Sequence, residues 1–295
     1  MDSETAGNAL QTYRARVERV LVDVSVQGNP ERALQRDDFR LLVDGEPREI
    51  DYFGRNELPL AIALVIDCSQ STSPFLPEIK RATERFIESL KPQDTAALYV
   101  STVPPLRLSS FQSDRRAVMQ SLSELKPIGG SAILDALDTV VAEFTGAASE
   151  NRRIILIVSD DIDTVSKTPD YRLSRKLLAE DIAVFEIKTA SLMPFPMKLR
   201  SIGGKQVPLP AAARSAGDLV QRTGGKTISL RNRLNARWQG RSVAEGFEEL
   251  RHVLARRYTI GFKPEPPTAS FHPVRISLAK KLGKFELRYR KGYWD

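Results

Sequence analysis

The chain has 295 residues, of which 41% are hydrophobic and 27% charged, and its formal net charge is +7. This size and composition are typical of a soluble globular protein with a buried core, not of a disordered or membrane-spanning one. Its single cysteine, Cys68, excludes an internal disulfide. The basic excess is spread along the chain without the aromatic and basic repeats of common RNA-binding folds, so we expect no nucleic-acid partner.

The N-terminal part of the chain predicts a tail followed by a small β segment. Residues 1–11 are polar, and we expect them to be disordered; their acidic start is unlike a signal peptide. Within residues 12–57, apolar and polar residues largely alternate from Val20 to Gln27, as in a half-buried strand. Asp44-Gly45 separates the strand-like stretches 39–43 and 48–53 and predicts a tight hairpin, because both residues accept positive φ.

Residues 58–257 change to an alternation of strand and helix signals. Leu60–Ile66 is a continuous apolar run, typical of a central parallel strand buried on both faces. Further strands are predicted over 95–103, 106–111, 154–158, 183–187 and 227–230, and helices over 77–90, 115–125, 132–144, 172–180, 211–222 and 243–256. The alternation predicts an α/β fold with a doubly wound, mostly parallel, Rossmann-like sheet.

Two other segments depart from this alternation. Residues 189–210 are rich in proline and glycine and predict a long functional loop, which we expect at the rim of the domain. Residues 258–295 return to strand-like patterns. We expect this C-terminal segment to pack with 12–57 in one small β-sandwich, because neither set buries enough apolar surface alone. No apolar run reaches the roughly 18 residues of a transmembrane helix.

The ends of the central strands carry two carboxylates and three hydroxyls. They are Asp67, Ser69 and Ser71 after the first central strand, Ser131 in a glycine turn that begins a helix, and Asp160 after the strand 154–158. Open α/β sheets bind ligands at this edge, where the strand order reverses. These are hard oxygen donors without a His or thiolate cluster, which selects Mg²⁺, Mn²⁺ or Ca²⁺ over Zn²⁺ or copper.

The order of these residues resembles the metal-ion-dependent adhesion site of von Willebrand factor type A (VWA) domains. That site combines Asp-x-Ser-x-Ser, a threonine in a Gly-Gly-Thr turn and a later aspartate, and the five residues fill its positions. The flanking β segments, with endings at 258–262, 271–273 and 288–293, resemble the VWA-related proteins abundant in Acidobacteria.

The resemblance carries expectations about function. It implies a non-enzymatic, divalent-metal-dependent module that binds another protein for adhesion or complex assembly. Mg²⁺, or Mn²⁺ or Ca²⁺, is the expected cofactor, and an acidic residue of the partner would complete its shell. The resemblance also implies an extracytoplasmic location, which means periplasmic, cell-surface or secreted.

The chain departs from the VWA pattern at two positions. Ser131 stands where the family has threonine, which keeps the hydroxyl but loses the stiffening methyl group. The usual Asp-Gly is Asp160-Asp161, and Asp163 follows, so we expect a more acidic rim that binds a cation tightly but repels an acidic partner. The remaining candidate rim or supporting residues are Gln70, Gly130 and Asp135.

Other interpretations of the same residues stay open at this point. The serines are also favoured helix N-caps, and Asp160 is also a common turn residue. A metal-assisted phosphoester or ester hydrolase is an alternative function, although neither His252 nor His272 lies near the motif in sequence to act as a base. A third alternative is a module whose metal only aids folding.

Overall fold

The computed structural model describes residues 19–28, 32–55, 58–112, 114–145, 151–163, 165–189, 200–202, 205–207, 215–230, 241–266, 268–279 and 285–294. The predicted disordered tail, 1–11, and most of the predicted loop, 189–210, lie outside these residues. Within that loop the structure describes Thr189 and a short hairpin of Arg200–Ile202 and Lys205–Val207. In the described part of the chain, no helix is long and apolar enough to cross a membrane.

The first four strands are β1 (Val20–Gln27), β2 (Phe39–Val43), β3 (Glu46–Arg48) and β4 (Tyr52–Arg55). β2 and β3 form the predicted hairpin, in which Asp44 and Gly45 have φ of 56° and 87°. The single strand predicted over 48–53 is wrong, because the chain switches sheets between β3 and β4. Ile50 lies at that switch and is buried in the apolar core that the two sheets share.

The central sheet has six strands. They are β5 (Leu60–Ile66), β6 (Thr95–Val100), β7 (Leu106–Gln112), β8 (Arg152–Ser159), β9 (Ile182–Lys188) and β12 (Thr227–Ser229). The strands β10 (Arg200–Ile202) and β11 (Lys205–Val207) form the separate short hairpin. The strand order in the central sheet is β12-β9-β8-β5-β6-β7, and all pair in parallel except β7. β5 therefore lies between β6 and β8, and the chain reverses its direction of progress across the sheet at this strand.

Helices cover both faces of the central sheet. They are α1 (Leu76–Glu88), α2 (Arg115–Ser123), α3 (Ile133–Thr145), α4 (Asp170–Ala179), α5 (Gly217–Arg222) and α6 (Val243–Ala255). One apolar core joins α1, α2 and α6 to the sheet, and a second joins α3, α4 and α5 to the opposite face. Every residue of β5 is buried, as a strand covered on both faces requires. The predicted doubly wound α/β fold is confirmed.

The last four strands are β13 (Arg257–Phe262), β14 (Phe271–Leu278), β15 (Glu286–Arg288) and β16 (Gly292–Trp294). They combine with the N-terminal strands in two antiparallel sheets, ordered β15-β1-β13-β4 and β16-β14-β2-β3. A separate apolar core lies between these sheets and includes Val22, Phe39, Tyr258 and Ile276. The strands from the two ends of the chain thus share one core.

Candidate functional site

Three segments meet at the carboxyl edge of the central sheet. The amide of Asp67 donates to the carbonyl of Val158 at 2.9 Å, which joins the end of β5 to the end of β8. The amide of Ala132 donates to the carbonyl of Ser101 at 2.8 Å, which holds the glycine turn against the end of β6. Backbone hydrogen bonds therefore bring the predicted residues of β5, β8 and the turn before α3 to one edge.

The turn after β5 is built around the Asp67 side chain. Its Oδ1 accepts the amide of Ser69 at 2.8 Å, and the Oγ atoms of Ser69 and Ser71 lie 3.0 Å apart. Thr72 Oγ1 donates to the carbonyl of Asp67 at 2.8 Å. Only 1% of Asp67 is exposed. These contacts fix one carboxylate oxygen in the turn, while the other, Oδ2, is buried without a hydrogen-bond partner among the described residues.

The other two predicted residues are also buried at this edge. Ser131 is 2% exposed, and its Oγ lies 3.3 Å from that of Ser101. Asp160 is 3% exposed, and its Oδ1 accepts the amide of Ile162 at 3.2 Å. A side-chain hydrogen bond also links Ser131 to Asp67. The structure thus places the predicted hydroxyls beside the predicted carboxylates.

The electrostatics of this edge favour a bound cation. The pKa of Asp67 is raised to about 6, first by burial and also by the nearby charge of Asp160, while hydrogen bonds from Ser69 and Ser131 oppose the rise. Two buried carboxylates close enough to repel each other are costly without a counter-charge. A cation between them would remove that cost.

The donor set fits a hard divalent cation. Asp67 Oδ2 and Asp160 Oδ2 are buried and have no hydrogen-bond partner among the described residues. Buried polar atoms of this kind need an explanation, and an ion is one of the usual ones. No group of three or more His, Cys, Asp or Glu that could hold a metal occurs in the described ranges. An ion here would therefore depend on the three serine hydroxyls as well as on the two carboxylates.

Asp161 does not add an unbalanced negative charge to the rim. Its Oδ2 accepts Lys188 Nζ at 2.8 Å and Ser215 Oγ at 2.6 Å, and its Oδ1 accepts the amide of Ala216 at 2.9 Å. Asp161 takes φ of 62°, a value that aspartate tolerates better than most residues. The structure corrects the expected excess of acidic charge at this position, because a lysine at the end of β9 offsets it.

Asp163 and Asp135 hold the loop after β8 against α3. Asp163 Oδ2 accepts the amide of Leu134 at 2.8 Å, in the first turn of that helix. Asp135 Oδ1 accepts the amides of Lys167 and Thr168 at 3.0 and 2.8 Å. Both carboxylates therefore fix the loop after β8 to the first turn of α3, next to the site.

The remaining rim candidates, Gln70 and Gly130, are exposed. Gln70 lies in the turn after β5, where its carbonyl accepts Ser73 Oγ at 2.9 Å. Gly130 lies in the turn before α3. The structure therefore places both on the solvent side of the site.

Helix capping does not account for Ser69 and Ser71. The short 3-10 helix Ser73–Phe75 has Thr72 at its N-cap position, and α1 has Phe75 there. Neither cap residue makes a side-chain cap hydrogen bond. The two serine residues precede both helices, and their hydroxyls contact each other instead of capping a helix.

Three residues of the site were missed in the sequence. Ser101 follows the carboxyl end of β6, so the strand-end rule that identified Asp67 would have found it. Thr72 stabilises the turn after β5 by donating to the carbonyl of Asp67. It lies five residues after Asp67, a spacing that matches no sequence motif. Lys188 ends β9, but its ion pair with Asp161 depends on how adjacent strands align, which the sequence does not show.

Comparison with known proteins agrees with this architecture. Residues 62–162 match the family model described as von Willebrand factor type A domain. A solved von Willebrand factor type A protein from Catenulispora acidiphila is 14% identical, with a TM-score of 0.51 over 88% of this chain and 73% of that one. No curated protein matches the chain.

Two further solved structures cover the domain. An aerotolerance-related membrane protein from Bacteroides fragilis is 14% identical over 66% of this chain and 98% of that one, with a TM-score of 0.47. BatB from Bacteroides thetaiotaomicron is 16% identical over 65% and 99%, with a TM-score of 0.45. The family match, together with the doubly wound fold, shows that this chain contains a von Willebrand factor type A domain.

Proposed function

We propose that the chain is a non-enzymatic module that binds another protein through a divalent cation at the carboxyl edge of its VWA domain. The residues that would hold the cation are Asp67, Ser69, Ser71, Ser131 and Asp160. The observation that carries the proposal is the pair of buried, unpartnered oxygens, Asp67 Oδ2 and Asp160 Oδ2. Mg²⁺ is the expected ion, and Mn²⁺ or Ca²⁺ has the same preference for oxygen.

The charge of the site supports recognition of an acidic partner. Only two of the five proposed ligands carry a formal charge, and the serine hydroxyls are neutral. A carboxylate of the partner protein would add a charge-assisted interaction with the bound cation. Because the charge of Lys188 offsets the charge of Asp161, the rim should repel such a carboxylate less than the sequence predicts. The VWA domain itself suggests an interaction or adhesion-type module.

A hydrolase is less well supported by the described residues. His252 lies on α6 beside Glu248, and His272 lies in β14 beside Asp44, so neither is at the carboxyl edge of the central sheet. Burial raises the pKa of the Cys68 thiol to about 12, which leaves it unreactive near neutral pH. The described part of the site therefore offers neither a histidine base nor a thiolate nucleophile.

An extracytoplasmic location belongs to the same proposal. This location is what the resemblance to VWA-related bacterial proteins implies. A module for adhesion or complex assembly would meet surface partners outside the cytoplasm. Cell fractionation of a native host with an antibody to the chain would test it. Recovery in the cytoplasmic fraction alone would contradict this location.

The decisive experiment measures metal binding and partner capture on the same variants. Calorimetric titration of Mg²⁺ and Mn²⁺ into the protein should show one site, which Asp67→Ala removes. Asp37→Ala is a matched control, because its carboxylate is 88% exposed and far from the proposed ligands in sequence. Partners captured with Mg²⁺ should be lost both with EDTA and with Asp67→Ala.

The outcomes separate the alternatives. If metal binds but the same partners are captured with EDTA, the cation is a folding aid and the docking proposal is wrong. If neither Mg²⁺, Mn²⁺ nor Ca²⁺ binds to the wild type, the metal site itself is wrong. Turnover of phosphoesters or esters that disappears in Asp160→Ala would favour the hydrolase.

A further inference from the structure

A second charged site lies at the opposite edge of the central sheet from the candidate metal site. A cavity of about 260 Å³ lies where the amino ends of β8 and β9 meet the sandwich sheet that contains β1 and β13. Three of its lining residues are arginines with almost no exposed surface: Arg257 is 1% exposed, Arg152 is 6% and Arg290 is 7%. Arginine is rarely buried to this extent unless its charge is paired.

Many of the nitrogens of these buried guanidinium groups lack a hydrogen-bond acceptor, although two nitrogens of Arg290 donate to the carbonyls of Leu178 and Leu21. Within the described residues, no partner exists for Nε, Nη1 and Nη2 of Arg152, for Nε and Nη1 of Arg257, or for Nε of Arg290. A guanidinium cannot lose its charge under ordinary conditions, so each of these nitrogens is a buried donor beside a positive charge. Unsatisfied donors of this kind are costly, which points to a ligand that accepts hydrogen bonds.

The acids around the cavity do not balance this charge. Arg290 is paired with Asp181 at 3.2 Å. Arg152 and Arg257 share one carboxylate oxygen, Asp23 Oδ2, which lies 3.5 Å from one Nε and 3.6 Å from the other. Both distances are longer than a charge-assisted hydrogen bond. The cavity lining holds four arginines (Arg152, Arg153, Arg257 and Arg290) and three acids (Asp23, Glu180 and Asp181), which leaves one positive charge uncompensated.

Asp23 is also drawn toward another partner. Its Oδ1 accepts Thr259 Oγ1 at 2.8 Å, which holds the carboxylate on the sandwich side of the cavity. The pKa of Arg257 is lowered to about 10, first by burial and also by the charge of Arg152, despite the attraction of Asp23 and Asp181. The two guanidinium groups therefore lie close together, as an anion site requires. Asp23 does not satisfy all of their hydrogen-bond donors.

We infer that this cavity binds a small oxyanion, such as phosphate, between the VWA domain and the β-sandwich, with Arg152 and Arg257 as its principal ligands. Planar guanidinium groups present paired donors that match the oxygens of phosphate and carboxylate. The volume holds a phosphate-sized group. The site joins residues of β8 to residues of β13, so a bound anion would also fasten the two parts of the chain together. This inference does not depend on the proposed metal.

The test is calorimetric titration of inorganic phosphate into the full chain, in EDTA and at constant ionic strength set with chloride. The wild type should bind one phosphate per chain. Arg152→Gln should bind at least tenfold more weakly, and Arg251→Gln should match the wild type because Arg251 is half exposed and pairs with Glu248 on α6. Asp67→Ala should also bind phosphate normally, which separates this site from the metal proposal.

A second variant keeps the test decisive if Arg152→Gln does not fold. Among the described residues, Asp23 is the acid that lies within 4 Å of both arginines, and Asp23→Asn removes its charge while keeping its shape, so phosphate should bind several-fold more tightly. A structural ion-pair cluster without a ligand predicts the opposite, a less stable protein that phosphate does not rescue. Titrations with sulfate and acetate then distinguish a tetrahedral anion from a carboxylate. Absence of saturable phosphate binding in both the wild type and Asp23→Asn would overturn the inference.

Discussion

Glu186 is a buried acid whose replacement should stabilise the protein in a pH-dependent way. It lies in β9, is 1% exposed, and its Oε2 accepts Thr227 Oγ1 at 2.9 Å while its Oε1 has no partner among the described residues. The pKa of Glu186 is raised to about 8, first by burial and also by the charge of Asp161. The neutral form of this side chain is therefore the one that the fold favours. Glu186→Gln imitates that form at every pH.

The magnitude follows from the difference between the folded and unfolded pKa values. The pKa rises from 4.5 in the unfolded chain to about 8 in the fold, and each unit corresponds to about 1.4 kcal/mol. Because the raised pKa belongs to an acid, the wild type loses stability as pH rises from about 4.5 to about 8 and loses no more above that. The full difference is about 5 kcal/mol. Local relaxation reduces it, and we expect Glu186→Gln to gain about 2 kcal/mol or more at pH 9.

The assay is urea unfolding of wild type and Glu186→Gln at pH 5 and pH 9, in EDTA. The variant should gain little at pH 5 and most at pH 9. Glu49→Gln is a matched control, because Glu49 is exposed and its replacement should change the unfolding free energy by less than about 0.5 kcal/mol at either pH. A variant that is less stable than wild type at pH 9, or a gain that does not grow with pH, would refute the reasoning.

Three other predictions concern the metal site and the packing of the sheet. Asp67→Asn should abolish stabilisation by Mg²⁺, which for the wild type reaches about 2.7 kcal/mol at one hundred times the dissociation constant, as measured by thermal unfolding. Lys188→Met should leave the charge of Asp161 uncompensated, so Mg²⁺ should bind about two- to threefold more tightly in a calorimetric titration while capture of an acidic partner weakens. Gly225→Ala should lower the unfolding free energy in urea by about 3 kcal/mol or more, because the new Cβ would lie 1.7 Å from the carbonyl oxygen of Val184.

Each of these predictions has a control and a contrary result. Asp37→Asn should keep the full Mg²⁺ effect, and equal stabilisation of Asp67→Asn would show that this carboxylate is not a ligand. Weaker Mg²⁺ binding by Lys188→Met would mean that the lysine organises the site instead of opposing a cation. Gly45→Ala is the control, because a Cβ at this position would have no atom within 4 Å and only the backbone φ of 87° is unfavourable. It should lower the unfolding free energy by about 1 kcal/mol. A Gly225→Ala effect no larger than that would contradict the packing argument.

The candidate metal site was largely predictable because its residues follow strand ends. Strands that are apolar throughout, such as Leu60–Ile66, are recognisable in the sequence, and the carboxyl ends of parallel strands meet at one edge by rule. The placement of Asp67 and Asp160 side by side followed from this rule alone. The compensation of Asp161 by Lys188 did not, because it depends on the alignment of β9 with β8 and on the αL conformation of Asp161.

Local pattern and tertiary structure therefore decided different features of this protein. The periods of apolar residues determined the α/β class, the order of strands and helices and the residues of the candidate metal site, since these depend on neighbours along the chain. Only the tertiary structure decided that the chain switches sheets at Ile50 and that Arg152 and Arg257 share Asp23 in one cavity. Asp23 and Arg257 are more than two hundred residues apart, so no local signal links them, and the packing of the β-sandwich against the VWA domain brings them together.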